Sequence, residues 1–181
     1  DSETAGRIAG NGIFLAAVIF AFFFVFGLFG AESYMKLMSG DKTVIKMGTD
    51  YLRICCCLSF GAIGFTVYER FLQASGRTVH TMAAQIAGAV TNIILDYVFV
   101  ILLDGGTDGA AYATVIGQVI SFAAAALFHY FLNKEIKNGG KFLMPNIQII
   151  KAIYKIGIPA AIMQALLAGM MFMTLQIFRI I

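Results

Sequence analysis

The segment TMAAQIAGAVTNIILDYVFVILL, residues 81–103, decides how this sequence folds. It is almost entirely apolar and long enough, at about 1.5 Å per residue, to cross the roughly 30 Å hydrocarbon core of a membrane. Yet it carries a carboxylate, Asp96, and an amide, Asn92, one helical turn apart. The segment therefore predicts a transmembrane helix whose interior holds polar groups that need a reason to be there.

The rest of the chain has a similar composition. Of its 181 residues, 60% are hydrophobic and 13% are charged, against about one quarter charged in soluble domains. A window of about 20 residues predicts five apolar spans, at residues 10–31, 48–67, 81–103, 109–132 and 152–177. We therefore predict an all-α integral membrane protein, a polytopic bundle of about five transmembrane helices.

The distribution of Lys and Arg predicts which side each loop faces, because basic residues collect on the cytoplasmic side. Eight fall on one side of the spans, namely Arg7, Arg70, Arg77, Lys134, Lys137, Lys141, Lys151 and Lys155. Five fall on the other, namely Lys36, Lys42, Lys46, Arg53 and Arg179. We expect a multi-pass protein of the plasma (inner) membrane with a cytoplasmic N-terminus. No basic patch interleaved with aromatics suggests nucleic acid as a partner.

Turn-forming sequences separate the spans, and most connections are short. Short connections give antiparallel neighbours, so we expect the four helices of residues 1–132 to pack as one bundle. Segment 133–150, with an Asn-Gly-Gly turn and Pro145, predicts a cytoplasmic connector to a fifth helix over residues 151–181. Pro159 predicts a kink or a first-turn position in that helix.

The fourth span has small residues, Gly109, Ala113 and Gly117, at a spacing of four. Small residues at this spacing let two membrane helices approach closely. A tight helix contact is the plain prediction, and room for a ligand is the alternative.

Asp96 lies seven residues before the predicted span end at residue 103, about 10 Å inside the membrane. An ionised carboxylate at this depth costs about 2.5–3.5 kcal/mol on insertion scales and is by default a sign of an ion or proton pathway. Thr114 lies at a matching depth in the fourth span, and Gln118 extends its polar stripe by one turn. Asn92, Asp96 and Thr114 therefore predict a site for a hard cation such as Na+, or for a proton.

Structural explanations stand beside this one. Asn92 and Gln118 are equally well explained by hydrogen bonds between helices. His80 and His129 lie near span ends, where an interfacial position is expected. Nothing resembles a nucleophile with its base, a phosphate loop or a zinc spacing, so we expect no enzyme and no cofactor beyond a coupling ion.

Four stretches together resemble the multidrug and toxic compound extrusion (MATE) transporters in order and spacing. They are FLQASGRT before the third span, GAVTNIILDYVFV within it, DGAAYATVIGQ in the fourth and KIGIPAAIMQ in the fifth. The resemblance aligns the chain with the third to seventh of the family's twelve helices, which form two lobes around a central cavity. It implies export of cationic or amphiphilic small-molecule drugs in exchange for Na+ or H+.

By this resemblance, Asn92, Asp96 and Thr114 match the cation-site positions of the first lobe, which residues 1–132 would belong to. Residues 151–181 would then be the first helix of the second lobe. The remaining helices, one of which carries a further acidic residue in the family, lie outside this sequence, so we expect the chain alone to be inactive. The alternatives are a lipid-linked saccharide flippase of the same superfamily, with a more basic cavity, and a membrane scaffold without transport.

The chain departs from the family at two places. Tyr97 follows the carboxylate where the family often has Pro, and Val79 and His80 stand where a second Pro is common. Both departures bear on how the third span bends at the site.

Overall fold

The computed structural model describes residues 2–133 and 144–180, without the side chains of residues 2, 172 and 175–180. Its helices are α1 (Ser2–Phe29), α2 (Ala31–Met38), α3 (Lys42–Cys57), α4 (Phe60–Ala74), α5 (Thr78–Asp96), α6 (Gly106–Leu132) and α7 (Ile147–Ile180). A π-helical segment, Tyr97–Leu102, follows α5. The described ranges contain no strand, and the predicted all-α fold is confirmed.

Five membrane crossings can be built from these helices. Four are long and apolar enough by themselves: α1, α5 with its π-helical extension, α6 and α7. The fifth is formed by α3 and α4 together, bent by 47° at the break between them. The predicted number of spans is therefore confirmed by length and composition.

The second span begins earlier than predicted. Helix α3 starts at Lys42 instead of residue 48, because Asp41 caps it. The Asp41 carboxylate accepts hydrogen bonds from the backbone N–H groups of Thr43 at 2.7 Å and Val44 at 3.2 Å. These bonds satisfy donors that the first turn of a helix leaves free. The first turns of α3, which carry Lys42 and Lys46, therefore precede the apolar window that predicts a start at residue 48.

The same span was predicted as one continuous helix, and the structure breaks it at Leu58 and Ser59. Gly61, in the first turn of α4, gives the physical reason. A Cβ at Gly61 would lie 2.9 Å from the backbone nitrogen of Val119 in α6. Helix α4 thus rests directly on the α6 backbone, and the chain changes direction to reach it.

The first span ends at Phe29, two residues before its predicted end at residue 31. After Gly30 the chain forms α2, which pairs with α3 as a hairpin. Gly48 of α3 lies against the Met35 side chain. A Cβ at Gly27 of α1 would lie 2.8 Å from Cβ of Cys56. Helix α3 therefore runs antiparallel to α1 and α2, along both.

Helix α6 is the centre of the bundle, since it packs against α3, α4, α5 and the π-helical segment. Its buried positions are mostly small: Gly109, Ala111, Ala113, Val115, Gly117, Ser121, Ala125 and His129. A Cβ at Gly117 would lie 2.8 Å from the carbonyl oxygen of Gly88 in α5. The tight contact predicted from Gly109, Ala113 and Gly117 is confirmed.

The end of α6 holds a buried hydrogen-bonded cluster, here called the Asn133 network. The Asn133 amide donates to the Phe71 carbonyl at 3.2 Å and accepts from the Ser75 hydroxyl at 2.9 Å. It also lies 3.3 Å from Nδ1 of His129. His129 lies in the last turn of α6 and its ring is buried in the bundle, only 1% exposed, while its depth relative to the membrane interface stays a prediction. The rings of Tyr68 and Phe71 pack around the imidazole and exclude water.

Helix α7 begins at Ile147, inside the predicted connector, whose residues 134–143 lie outside the described part of the chain. The Asn146 side chain caps it by accepting from the Gln148 N–H at 2.9 Å. The Asn146 N–H donates to the buried Asn11 side chain at 2.8 Å, and α7 meets the bundle mainly through α1. Pro159 lies in the interior of α7, which excludes a first-turn position. That α7 opens a second lobe stays a prediction.

Candidate functional site

Helix α5 stays regular up to the carboxylate and widens after it. Asp96 is its last residue, and the Tyr97 N–H donates to the Ile93 carbonyl, a bond that proline could not make. The π-helical segment follows at once, and the Leu103 N–H closes it onto the Val98 carbonyl at 3.0 Å. At Tyr97, where the resemblance predicts Pro, the chain therefore forms a wide turn, a feature frequent at functional sites.

The second departure has a smaller consequence. Val79 and His80 fall in the first turn of α5, which begins at Thr78. A proline is readily accommodated in the first turn of a helix. The first turn of α5 can therefore keep its helical conformation with or without proline.

The wide turn is held by the start of α6. The Phe99 carbonyl accepts from the Gly105 N–H at 2.8 Å. A Cβ at Gly109 would lie 2.9 Å from the same oxygen. Two glycines thus let α6 close over this carbonyl, which fixes the chain that follows Asp96.

Four side-chain atoms on α5 are shielded from solvent and have no hydrogen-bond partner: Nδ1 of His80, Oγ1 of Thr81, Nδ2 of Asn92 and Oδ1 of Asp96. The last two lie one helical turn apart at the predicted site. No Lys, Arg or His of the described residues pairs with Asp96, the recorded ion pairs being Arg7–Glu3 and Lys36–Glu32. A buried polar atom without a partner costs roughly 1–3 kcal/mol, and more for a charged group. A bound cation, proton or water at this turn of α5 would remove that cost.

A cavity of about 330 Å³ opens beside the Asn92 side chain, between α4, α5 and α6. Its polar walls are Thr66, Gln85, Asn92, Thr114, Gln118 and Ser121. The structure thus brings together three of the four predicted site residues, Asn92, Thr114 and Gln118. Asp96 does not line this cavity and lies one helical turn further along α5. The predicted single cluster is in fact a cavity with a carboxylate near one end.

The cavity wall includes polar residues that sequence reasoning missed. Gln85 lies seven residues before Asn92, a spacing that places both on one helix face, so its position was available from the sequence. Ser121 lies seven residues after Thr114 and carries the same signal. Thr66 carries none, because a small hydroxyl residue also bonds within its own helix. The Thr66 hydroxyl, for example, donates to the Ala62 carbonyl at 3.0 Å.

The chemistry of the cavity is that of neutral oxygen ligands. Amide and hydroxyl groups form its polar walls, and its lining contains no basic residue. Within residues 2–133 and 144–180, no three His, Cys, Asp or Glu residues come close enough to hold a metal ion. Neutral oxygens with one nearby carboxylate suit a hard cation of low charge, or a proton.

Comparison with known proteins gives concordant matches. A sequence model of the family described as MatE matches residues 1–98. The multidrug export protein MepA of Staphylococcus saprophyticus is 29% identical over 155 residues, which cover 83% of this chain and 33% of that protein. The chain thus spans about a third of the length of the curated relatives it matches.

Two solved transporters of the MOP superfamily share the fold. A multidrug-resistance MATE transporter in an outward-facing conformation superposes with a TM-score of 0.86 at 24% identity, covering 95% of this chain and 38% of that one. A transporter from Pyrococcus furiosus, in which reversed polarity of the binding pocket suggests a different function, gives 0.84 with the same identity and coverage.

Proposed function

The chain belongs to the MatE family, and from this we propose that it forms part of a secondary-active exporter of small-molecule drugs. The exporter exchanges cationic or amphiphilic drugs for Na+ or H+ across the plasma (inner) membrane, with the N-terminus of this segment in the cytoplasm. The S. saprophyticus relative, a multidrug export protein, supports this substrate class. Because the chain spans a third of that relative, the remaining helices of a full-length transporter are its partners.

The observation that carries the proposal is the pair of shielded, unpartnered atoms on α5, Oδ1 of Asp96 and Nδ2 of Asn92. A carboxylate with no basic partner is stabilised when a cation or proton arrives, and destabilised when it leaves. A conformation that admits the ion and one that excludes it therefore differ in free energy according to occupancy. In the proposed exporter, this difference biases the lobe between outward-facing and inward-facing states.

Thr114 and Gln118 have a supporting role in this scheme. They face Asn92 across the cavity and supply neutral oxygens that replace part of the hydration shell of an entering ion. An ion on its way to Asp96 would then exchange water for protein ligands in steps. Neutral ligands do not hold the ion so tightly that it fails to leave.

The test replaces Asp96 by Asn in the full-length gene product, in proteoliposomes loaded with a fluorescent cationic drug. We expect drug movement driven by a Na+ or pH gradient to fall at least about 100-fold, as for loss of a charged group at a functional centre. Asp104→Asn is the matched control. Asp104 is exposed, and its φ of 50° suits Asn, so full export is expected. Normal gradient-driven export by Asp96→Asn refutes the proposal.

The alternatives make different predictions in the same assay. A lipid-linked saccharide flippase would need basic groups for its anionic cargo, and the walls of this cavity have none. A scaffold without transport would tolerate replacement of Asn92, Asp96 and Thr114 together. Loss of gradient-driven drug export in Asp96→Asn alone separates the exporter from both.

A further inference from the structure

The α2–α3 hairpin contains a charged pocket that the export proposal does not use. The pocket has a volume of about 410 Å³. Its charged lining consists of Glu32, Lys36, Lys42, Lys46, Asp50 and Arg53. We propose that it binds a phosphate-bearing anion, either the headgroup phosphate of an anionic lipid or free phosphate.

Three of the cations lie on one face of α3. Lys42, Lys46 and Arg53 are separated by four and seven residues, and both spacings return to the same side of a helix. Among the described residues, none of the three has a carboxylate oxygen within 4.0 Å. Three cations on one concave face, none of them in an ion pair, attract an anion, and the two acids of the pocket offset their charge only in part.

The acids of the pocket do not cancel this charge. Glu32 is bonded to Lys36 at 2.7 Å, and that ammonium holds the pKa of the Glu32 carboxyl below its usual range. Glu32 therefore stays ionised and compensates Lys36. Asp50 is left against three cations, so the pocket keeps a formal charge of four minus two, or +2.

Thr49 provides an observation independent of the charges. It lines the pocket, is only 5% exposed, and its hydroxyl oxygen is shielded without a hydrogen-bond partner. A buried hydroxyl normally has a partner. A phosphate oxygen held by the surrounding cations would be an acceptor for it, which distinguishes this pocket from a merely basic surface.

The pocket also lies beside the end of the apolar part of α1. Gly48 of α3 is level with Met35, and Cys56 is level with Gly27. Arg53, between them on α3, therefore falls opposite the junction of α1 and α2. The apolar part of α1 ends at that junction, and headgroups begin where the hydrocarbon ends.

The experiment measures anion affinity of the full-length gene product in detergent by native mass spectrometry. Phosphatidylglycerol, phosphatidylcholine and inorganic phosphate are titrated separately. The variant is Lys46→Gln with Arg53→Gln, and the control is Lys151→Gln with Lys155→Gln, two exposed cations of α7. Since each basic side chain near an anionic surface contributes about fivefold, the variant should bind phosphatidylglycerol about 30-fold more weakly.

A second pair of variants tests the hydroxyl. Thr49→Val keeps the shape of the side chain and removes the donor, so about tenfold of anion affinity should be lost. Thr49→Ser keeps the donor and should bind like the unmodified chain. A basic surface without a built site would not distinguish Val from Ser.

Each outcome decides the proposal. Phosphatidylglycerol binding that falls in the hairpin variant alone identifies a lipid headgroup. Inorganic phosphate binding that falls in the same way identifies the free anion. Absence of both, or an equal loss in the α7 control, overturns the proposal. Because the measurement is of binding, its failure leaves the export proposal intact.

Discussion

Two polar clusters of this bundle contain side-chain atoms that are shielded from solvent, and only one of them has its partners. In the Asn133 network, the Asn133 amide has the Ser75 hydroxyl, the Phe71 carbonyl and the His129 ring within 3.3 Å. On α5, by contrast, the Asn92 nitrogen and one Asp96 oxygen have none. The same residue type, asparagine, thus occurs in both conditions within one small helix bundle.

The difference teaches how to separate structural from functional polarity in a membrane helix. A polar group whose partners come from the protein stabilises the fold in every state of the molecule. A polar group without such partners is stabilised only by something that arrives from outside, and it is less stable whenever that visitor is absent. The first condition favours rigidity, and the second favours a response to a ligand.

The largest effect on stability should follow from breaking the complete cluster. Asn133→Leu removes the bond to the Phe71 carbonyl, the bond from the Ser75 hydroxyl and the contact with the His129 ring, while the Ser75 hydroxyl keeps its own bond to the Phe71 carbonyl at 3.0 Å. We expect the free energy of unfolding to fall by roughly 2–4 kcal/mol, since three buried polar contacts worth about 0.5–1.5 kcal/mol each are lost. Thermal unfolding in detergent micelles measures it. A change below about 1 kcal/mol would contradict the structural role assigned to this network.

An intermediate effect on the free energy of unfolding is expected at the close contact between α5 and α6. Gly88→Ala would place its Cβ against the Ser121 hydroxyl and the Gly117 carbonyl. Overpacking of this kind costs about 1–3 kcal/mol. Gly12→Ala in α1, where a Cβ meets nothing within 4 Å, is the control and should be neutral or slightly stabilising. Equal losses in the two variants would mean that the close α5–α6 contact is not responsible.

The smallest effect on stability, and the sharpest test of the comparison, is Asn92→Leu. It makes the same substitution as Asn133→Leu, but at an asparagine whose side-chain nitrogen has no partner. Replacing an unpaired amide by an apolar group of similar size should change the free energy of unfolding by less than about 1 kcal/mol. Gradient-driven export should nevertheless be impaired, which the proteoliposome assay reports. If Asn92→Leu and Asn133→Leu destabilise equally, the distinction between the clusters fails.

The sequence predicts the spans of this fold well and its breaks poorly. Hydropathy is averaged over a window of about 20 residues. It therefore finds apolar helices but has no signal for a change of direction at Gly30 or Ser59. Such bends depend on which neighbouring helix a glycine contacts, as Gly61 contacts α6. Such contacts are tertiary and cannot be found from periodicity alone.

The candidate site was predictable to the same degree. Helical periodicity places Asn92 and Thr114 on facing sides of neighbouring helices, and both do line one cavity. Asp96 lies one helical turn beyond Asn92, outside the lining of that cavity, because the packing of neighbouring helices decides where a cavity ends and spacing does not encode it. The burial of His129 against the rings of Tyr68 and Phe71 could not be predicted either, because closeness to a helix end does not say which neighbouring side chains cover a residue.

The wide turn after α5 has a consequence for how this helix tolerates change. In the π-helical segment, each N–H bonds to the carbonyl five residues earlier. A turn there holds one more residue than an α-helical turn, which corresponds to about 100° of rotation about the helix axis. A residue lost between Tyr97 and Leu102 can be absorbed by reverting to the narrower winding, while the packing that orients the carboxylate stays as it is. Loss of one residue from this segment is therefore expected to leave the orientation of Asp96 unchanged.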